Sequence, residues 1–515
     1  MSAKGDRIRN SLRNSSCGLF FSIVSIVLSF LSNRAFIHVL GADLFGLNNT
    51  VISIMETLNL AELGIASAMA SFLYAPMAGG DRGTVAELVA LQGWVYRKVA
   101  LFVGVAGVTV ACFMPVIFED CGVPVVYAIA TFVVLLLGSL STYLLNFREV
   151  ILDADQRNSD VVLSYRLPAV IRLTLQILAI EYTPYGYELW LVLQLMGYGL
   201  TAYIMRRIIG RRYPHFMKLD VAGAAPLRHK HPEVFRRVAQ VFAHNLAYVV
   251  MTRVSPLVIY AYTSLTTVAS YGNYMLIYVG LTMLLYNVQE GFQGSVGNLV
   301  AEGGREERGR VFGQLLALDC LLAAVCVFGF LNFADAFVGQ WIGEEMVLGG
   351  APVVLMAVML FVEVSRSAVN QFLKAHGYFD DVWAAFTEAA LNVTLSIALG
   401  RLWGLTGVLC GGVVSLVLMV LIWKPYYLMR VKGCGSLWGY WRLWLTCVGV
   451  AVGVGVAFGW LFGGLEPVGS LSFGWLIWRM CWLTVAYVVV AGGVLCVVSS
   501  SMRGVVVRVL GVVGR

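Results

Sequence analysis

Apolar stretches long enough to cross a bilayer, separated by short polar runs, recur along nearly the whole chain. Fourteen can be delimited, near residues 17–40, 48–75, 92–117, 123–146, 161–182, 186–207, 237–262, 267–300, 310–334, 351–375, 382–402, 404–428, 438–463 and 474–500. The second and eighth are long and spotted with polar residues. The pattern predicts an all-α integral membrane protein. Composition agrees: 59% of the 515 residues are hydrophobic, 13% are charged, and the mean hydropathy is +0.80, which no soluble domain of this size shows.

Charge orients the stack. With the N-terminus in the cytoplasm, 29 of the 36 Lys and Arg residues fall in cytoplasmic loops and one, Arg401, falls outside. The remaining six lie within spans. So steep a bias predicts that both termini are cytoplasmic. It also accounts for the net charge of +7 through the positive-inside rule and anionic lipid, so no nucleic-acid partner is expected. Lys4, Arg7, Arg9 and Arg13 precede a full-length first span, so no cleavable signal peptide is expected. The ten cysteines are scattered and contain no C-x-x-C, and they read as small apolar residues.

The chain repeats weakly at one offset. Asn49 pairs with Asn273, Gly79-Gly80 with Gly303-Gly304, Asn146 with Asn370, and Tyr203–Arg206 with Tyr427–Arg430, each 224 positions apart. A shared register from the second span to the sixth implies two six-helix lobes of the same topology. The expected organisation is a lobe at 1–210, a basic cytoplasmic linker at 211–236, a second lobe at 237–432, and two additional helices with a basic tail at 433–515. Parallel repeats of this kind place substrate between the halves near the midplane. Thr84-Val85-Ala86-Glu87 has capping-box spacing and predicts the start of a short interfacial helix.

Chemistry concentrates in the charged residues of the spans. Arg34, Arg166, Arg172, Arg253 and Arg366 sit in apolar surroundings, where each guanidinium costs roughly 2.5–3.5 kcal/mol at the bilayer centre. Arg166 and Arg479 lie close enough to a face to snorkel. Arg34, Arg172, Arg253 and Arg366 read as an anion site, with Asn49, Asn273 and Asn370 as further substrate-binding candidates. Arg366 has Glu363 three residues before it, so it either faces a cavity or closes an intrahelical ion pair. The many Asn and Ser residues of spans two and eight line a cavity or a helix–helix seam. Glu56, Glu62, Glu290 and Glu363 either carry a coupling proton or sodium ion or tune the arginines.

Enzyme signatures are sparse. There is no P-loop, H-E-x-x-H, G-x-S-x-G or calcium loop, and the longest outer loop runs only from about 335 to 350. That is too little for a membrane polymerase or glycosyltransferase. His215, His229 and His231 sit in the basic linker and read as a solvated loop. No catalytic residue, metal site or cofactor is expected beyond the coupling ion.

Several motifs resemble the bacterial polysaccharide flippases, the Wzx-type O-antigen and capsule repeat-unit branch of the multidrug/oligosaccharidyl-lipid/polysaccharide superfamily. They are Leu60–Ile65 (LAELGI), Ser295–Glu302 (SVGNLVAE), Trp341–Glu345 (WIGEE), Gly404–Val408 (GLTGV) and Trp423–Tyr427 (WKPYY). The resemblance runs from about residue 10 to 432. It implies a MATE-like, two-lobed, alternating-access transporter in the bacterial plasma membrane. Such a protein moves undecaprenyl-diphosphate-linked oligosaccharides to the outer leaflet, with membrane lipids and polysaccharide polymerase or assembly proteins as partners. It also implies a cationic cavity, which the arginines fit. Thr252-Arg253-Val254-Ser255-Pro256 departs from the family pattern and is expected to kink the seventh helix. Two relatives compete, a cation-coupled drug antiporter and a peptidoglycan-precursor flippase. The first helix argues against the antiporter, because it has Arg34 and no acid between residues 17 and 40.

Overall fold

A computed structural model describes residues 24–62, 65–119, 121–155, 158–238, 242, 254–302, 304–376, 378, 381–432, 435–462 and 472–513. Among them, nine helical segments are long and apolar enough to cross a membrane, and one shorter apolar helix, α1, spans Val24–Leu40. The chain forms two compact units. The first runs to Tyr260 and includes Ser264–Ala269; the second comprises Ala261–Thr263 and everything from Ser270.

In the first unit, α2 (Ala42–Leu58) and α3 (Ile65–Ala78) are followed by α4 (Arg82–Ile117), α5 (Val125–Leu145), the short α6 (Val150–Ala154), α7 (Asn158–Tyr182) and α8 (Gly186–Arg212). The second expected span is therefore not one helix. It breaks at a 3₁₀ turn, Asn59–Glu62, in the stretch where polar residues are densest. The core is aromatic: Phe36 meets Phe45, Tyr187 and Trp190 edge-on at 5.5–5.9 Å, tying α1 to α2 and α8.

The expected short helix at Thr84 is instead the first turn of the 36-residue α4. Asp81 caps it, accepting from the Thr84 amide at 3.0 Å and its hydroxyl at 2.6 Å. Glu87 does not close a capping box. It accepts from Lys230 at 2.6 Å and lies 3.2 Å from His231, because the 211–236 stretch packs back on α4. Arg148 holds the same stretch through the Phe216 and Met217 carbonyls.

Helix α9 (Ser255–Tyr262) belongs to the first unit except for its last two residues, and the second unit contains α10 (Leu265–Glu302) from Ser270 onward and α11 (Arg305–Trp341). Next come α12 (Gly350–Ser365), α13 (Ser367–His376) and α14 (Val382–Leu416). The seventh expected span is described only from residue 254 apart from residue 242, and Pro256 lies in the first turn of α9, where a proline is tolerated. Helix boundaries keep the offset read from the asparagines to within a residue. Arg82 and Arg305 open corresponding helices, Ile117 and Trp341 close them, and Asn158 and Val382 open a later pair, α7 and α14.

The two spans predicted at 382–402 and 404–428 are two helical arms that meet at a single reversal. Trp403 and Gly404 leave helical geometry there, Gly404 with φ of 54°, a conformation that glycine adopts without strain. The returning arm packs against the outgoing one through small residues. A methyl on Gly407 would lie 2.0 Å from the Leu399 carbonyl oxygen, and one on Gly411 would lie 2.4 Å from the Ser396 amide nitrogen. Polar cross-links reinforce the hairpin: Ser396 donates to the Val408 carbonyl at 3.0 Å and Asn392 to Ser415 at 3.3 Å. The arm continues through π-helical turns at Val417–Trp423 and Tyr427–Val431.

Beyond the repeat, α15 (Leu437–Phe462), α16 (Phe473–Val498) and α17 (Ser500–Val513) pack on α11. Phe328 of α11 stacks on Tyr487 at 4.2 Å and meets Phe458 edge-on at 5.6 Å. These helices complete the second unit's core rather than hang from it.

Gly407→Val is expected to lower stability by about 1–3 kcal/mol through overpacking of the hairpin, whereas Gly449→Ala, with open space around its Cα, should be silent. Thermal unfolding of both purified variants would decide, and equal melting temperatures would contradict the backbone-contact reading.

Candidate functional site

The first unit concentrates polar groups around the break after α2. Tyr96 on α4 donates to Glu62 at 3.0 Å, and Tyr143 on α5 donates to the Asn59 side chain at 2.8 Å. Asn59 donates to Ser139 at 3.0 Å, and Tyr165 on α7 bonds to Glu149. Unwinding at Asn59–Glu62 leaves backbone groups without helical partners. The tyrosines and asparagine surround that turn.

A second polar group joins α7 and α8. Arg172 donates to Gln176 at 3.0 Å and bonds to Gln194. Gln176 donates to the Trp190 carbonyl at 2.9 Å and Gln194 to the Tyr198 hydroxyl at 2.9 Å. Gly197 lets the arginine stem pass, since a methyl there would sit 2.6 Å from its Cδ. Among the described residues both partners of this guanidinium are neutral carboxamides, and no carboxylate pairs with it.

The second unit behaves differently. Arg366 lies at the junction of α12 and α13 and closes an ion pair with Glu363 at 2.5 Å. Of the two alternatives open for Arg366, the ion pair forms. Glu388 on α14, buried at 8% exposure, lies within electrostatic range of both, and Lys424 pairs with Asp381 at 2.7 Å. Asp319 on α11 is 3% exposed and accepts from Gln289 of α10 at 2.9 Å and from the Ala368 amide at 2.7 Å. The break at Arg366 leaves the first amides of α13 unpaired, and Asp319 supplies one acceptor from a neighbouring helix. Gln371 donates to the Gln289 carbonyl at 3.3 Å, linking α13 to α10, and to Ser367 of its own helix at 3.1 Å.

The other candidates are dispersed. Arg34 lies on an exposed face of α1, and Arg166 is half-buried on α7. Asn49 is half-buried on α2, where its carbonyl accepts from Ser53 at 3.0 Å, and Glu56 is half-buried on the same helix. Asn273 is wholly buried in α10, and Asn370 is half-buried in α13. Arg253 lies outside the described residues, as does the side chain of Glu290. Arg479 reaches the Phe462 carbonyl at 3.5 Å. Sequence reasoning overlooked Asp319, Glu388 and Asp335, which bonds to Tyr274. A lone acid in an apolar run was signal enough for Asp319.

Residues of the Asn59 group on α5 and residues around Arg366 correspond at the same offset of 224. Ser139 corresponds to Glu363, Tyr143 to Ser367 and Asn146 to Asn370.

No protein-family model matches the chain, and no curated protein matches its sequence. Solved structures match its fold. The lipid II flippase MurJ in its inward-closed conformation superposes with a TM-score of 0.63 at 14% identity, over 93% of this chain and 99% of that one. The fold is that of MurJ and the MATE transporters. A MATE-family multidrug resistance transporter of the MOP superfamily, inward-facing, gives a TM-score of 0.60 at 15% identity over 82% of this chain and 98% of its own. The Vibrio cholerae MATE transporter VcmN gives 0.50 at 14% identity, covering 85% and 98%. Leaving out residues 433–515 of the 515 would leave room for 82% coverage but not for 93%, so the match to MurJ takes in residues beyond the twelve-helix repeat.

Replacing Asp319 by Leu strands two buried donors and is expected to cost about 2–4 kcal/mol of stability, while Asp319→Asn, which keeps one acceptor, should cost less. Melting curves in detergent measure the order; an Asn variant as unstable as the Leu variant would contradict the capping role.

Proposed function

We propose that this chain is a flippase of the bacterial plasma membrane. It moves a polyprenyl-diphosphate-linked oligosaccharide repeat unit from the inner to the outer leaflet, where surface polysaccharide is polymerised, and both of its termini are cytoplasmic. Arg172 carries the reading: a guanidinium inside an apolar helix pair, held by carboxamides alone, retains its full charge. An anion is the complement such a group lacks, and guanidinium binds phosphate oxygens bidentately. Arg34 adds an exposed positive charge on α1. The polyprenyl tail stays in lipid while alternating access carries the head group across.

Two further observations support a lipid-linked anion over a cationic drug. A cation needs available carboxylates, and in the second unit Glu363 is engaged by Arg366, and Asp319 by Gln289 and the Ala368 amide. The match to MurJ, named as a flippase of lipid II, also takes in part of the chain beyond residue 432. Among the acidic candidates we assign the coupling proton to Glu62. The Tyr96 hydroxyl donates to it, and no described cation pairs with it.

In proteoliposomes carrying a fluorescent polyprenyl-diphosphate oligosaccharide, the full chain should expose the label to an external quencher. Arg172→Gln should slow this about tenfold or more, the loss expected for one charge-assisted contact of about 1.5–3 kcal/mol, with folded protein retained. Undiminished transport by Arg172→Gln and Arg34→Gln together would remove the anion site. Export of a cationic dye instead would establish the antiporter.

A further inference from the structure

The second unit encloses a cavity of about 460 Å³ that plays no part in the proposed transport site. Its walls come from the first turns of α11, the first turns of α15, and the junction of α16 with α17. Three helices thus begin at this space or one turn from it, α11 at Arg305 and α15 and α17 at Leu437 and Ser500, and the first turn of each leaves amide N–H groups without helical acceptors. The positive ends of their dipoles favour an anion there. Ser436 and Ser499 partly cap the latter two, accepting from the Gly439 amide at 3.1 Å and the Met502 amide at 3.4 Å.

The side chains point the same way. Arg308 and Arg442 line the cavity, no acidic residue does, and among the described residues neither arginine has an ion-pair partner. The Nε of Arg308 is buried and has no hydrogen-bond acceptor. A buried guanidinium N–H is costly to leave unpaired, so an acceptor oxygen in this space would be favoured. Ser499, Ser501 and Tyr440 add hydroxyls that can donate to the same oxygens.

The first unit offers a contrast. Its own cavity, about 470 Å³, lies at the related place in the repeat, at the start of α4 and just past α8, and is lined by Arg82, Arg211 and Arg212. That cavity also contains Asp81, whose carboxyl the Thr84 hydroxyl and amide hold below the usual carboxylate range. A permanent negative charge therefore sits among its arginines. The second unit's cavity has none.

The remaining walls indicate what bears the anion. Phe312, Leu316 and Leu443 provide apolar surface beside the arginines, which a free inorganic ion would leave unused. The cavity opens at the end of spanning helices where basic loop residues gather. Helix α17 turns off α16 at Ser499, where φ is −117° and ψ is 119°, and lies against α11, with Ser501 at Gly313 and Gly504 at Gln314. Basic pockets between spanning helices at this level suit anionic lipid head groups.

We propose that this cavity binds the phosphodiester head group of an anionic membrane phospholipid, with Arg308 and Arg442 as the charged ligands and the apolar wall against its glycerol and acyl portion. The inference does not depend on the flippase reading. Occupancy fastens α15 and α17 to α11 and thereby holds the helices outside the repeat in place.

The test uses the full chain in phosphatidylcholine nanodiscs titrated with fluorescent phosphatidylglycerol. Phosphatidylglycerol should bind about tenfold or more tightly than a matched phosphatidylcholine probe, and salt should weaken it. R308Q with R442Q should abolish that preference, while Arg305→Gln, on the same helix but off the cavity, should retain it. A photoactivatable phosphatidylglycerol on the unaltered protein should label peptides containing 436–446 or 499–503, which keeps the proposal testable even where the double variant folds poorly. An unchanged preference in a folded double variant, or labelling elsewhere, overturns the site. Inorganic phosphate displacing the probe at concentrations as low as phosphatidylglycerol itself overturns the lipid assignment in favour of a soluble anion.

Discussion

Where the surroundings supply no hydrogen bonds, every backbone amide released by an interrupted helix must find its acceptor inside the protein. Asp319 meets that constraint in the second unit. One carboxylate on α11 answers an amide freed where α12 gives way to α13 and, with its other oxygen, fixes the carboxamide of Gln289 on α10. Three helices are thereby set in register by a single side chain. Around the first unit's interruption, at Asn59–Glu62, the contacts run between side chains instead: Tyr96 engages Glu62, and Tyr143 and Ser139 engage Asn59. The neutral polar residues of these spans hold broken helices together, and the charged ones separate by unit.

That separation is the clearest asymmetry of the molecule. In the first unit a guanidinium rests among carboxamides, whereas in the second Arg366 is compensated by Glu363, with Glu388 close by. Arg172 is thus left without a carboxylate to balance it, while Arg366 belongs to a nearly neutral ionic group.

Much of the architecture could be read from residue order because membrane spans declare themselves by length and apolarity. The reversal at Gly404, the repeat offset, and the extra pair after 432 all followed from such patterns. Interruptions inside a span were harder to read. Asn59–Glu62 carries polar residues that suit a cavity wall, a helix seam or a break equally well, and only packing against Tyr96 and Tyr143 distinguishes them. Glu87 has the spacing of a capping partner, yet a lysine 143 positions away engages it, a long-range contact invisible to local periodicity. Arg366 and Glu363 were recognisable as a pair from three-residue spacing, but whether the pair closes depends on neighbours such as Glu388 that lie on another helix.

The π-helical turns after the glycine hairpin have a geometric outcome of their own. Each residue that a π turn adds to an α-helix rotates everything beyond it by about 100° around the axis. Lys424 follows directly on the widened stretch Val417–Trp423 and meets Asp381, which precedes α14 at the far end of the hairpin's other arm. The wider turns therefore act as an angular adjustment that aims the lysine at its carboxylate. Shortening that stretch by one residue would swing the ammonium away from Asp381 and leave a buried acid facing apolar neighbours.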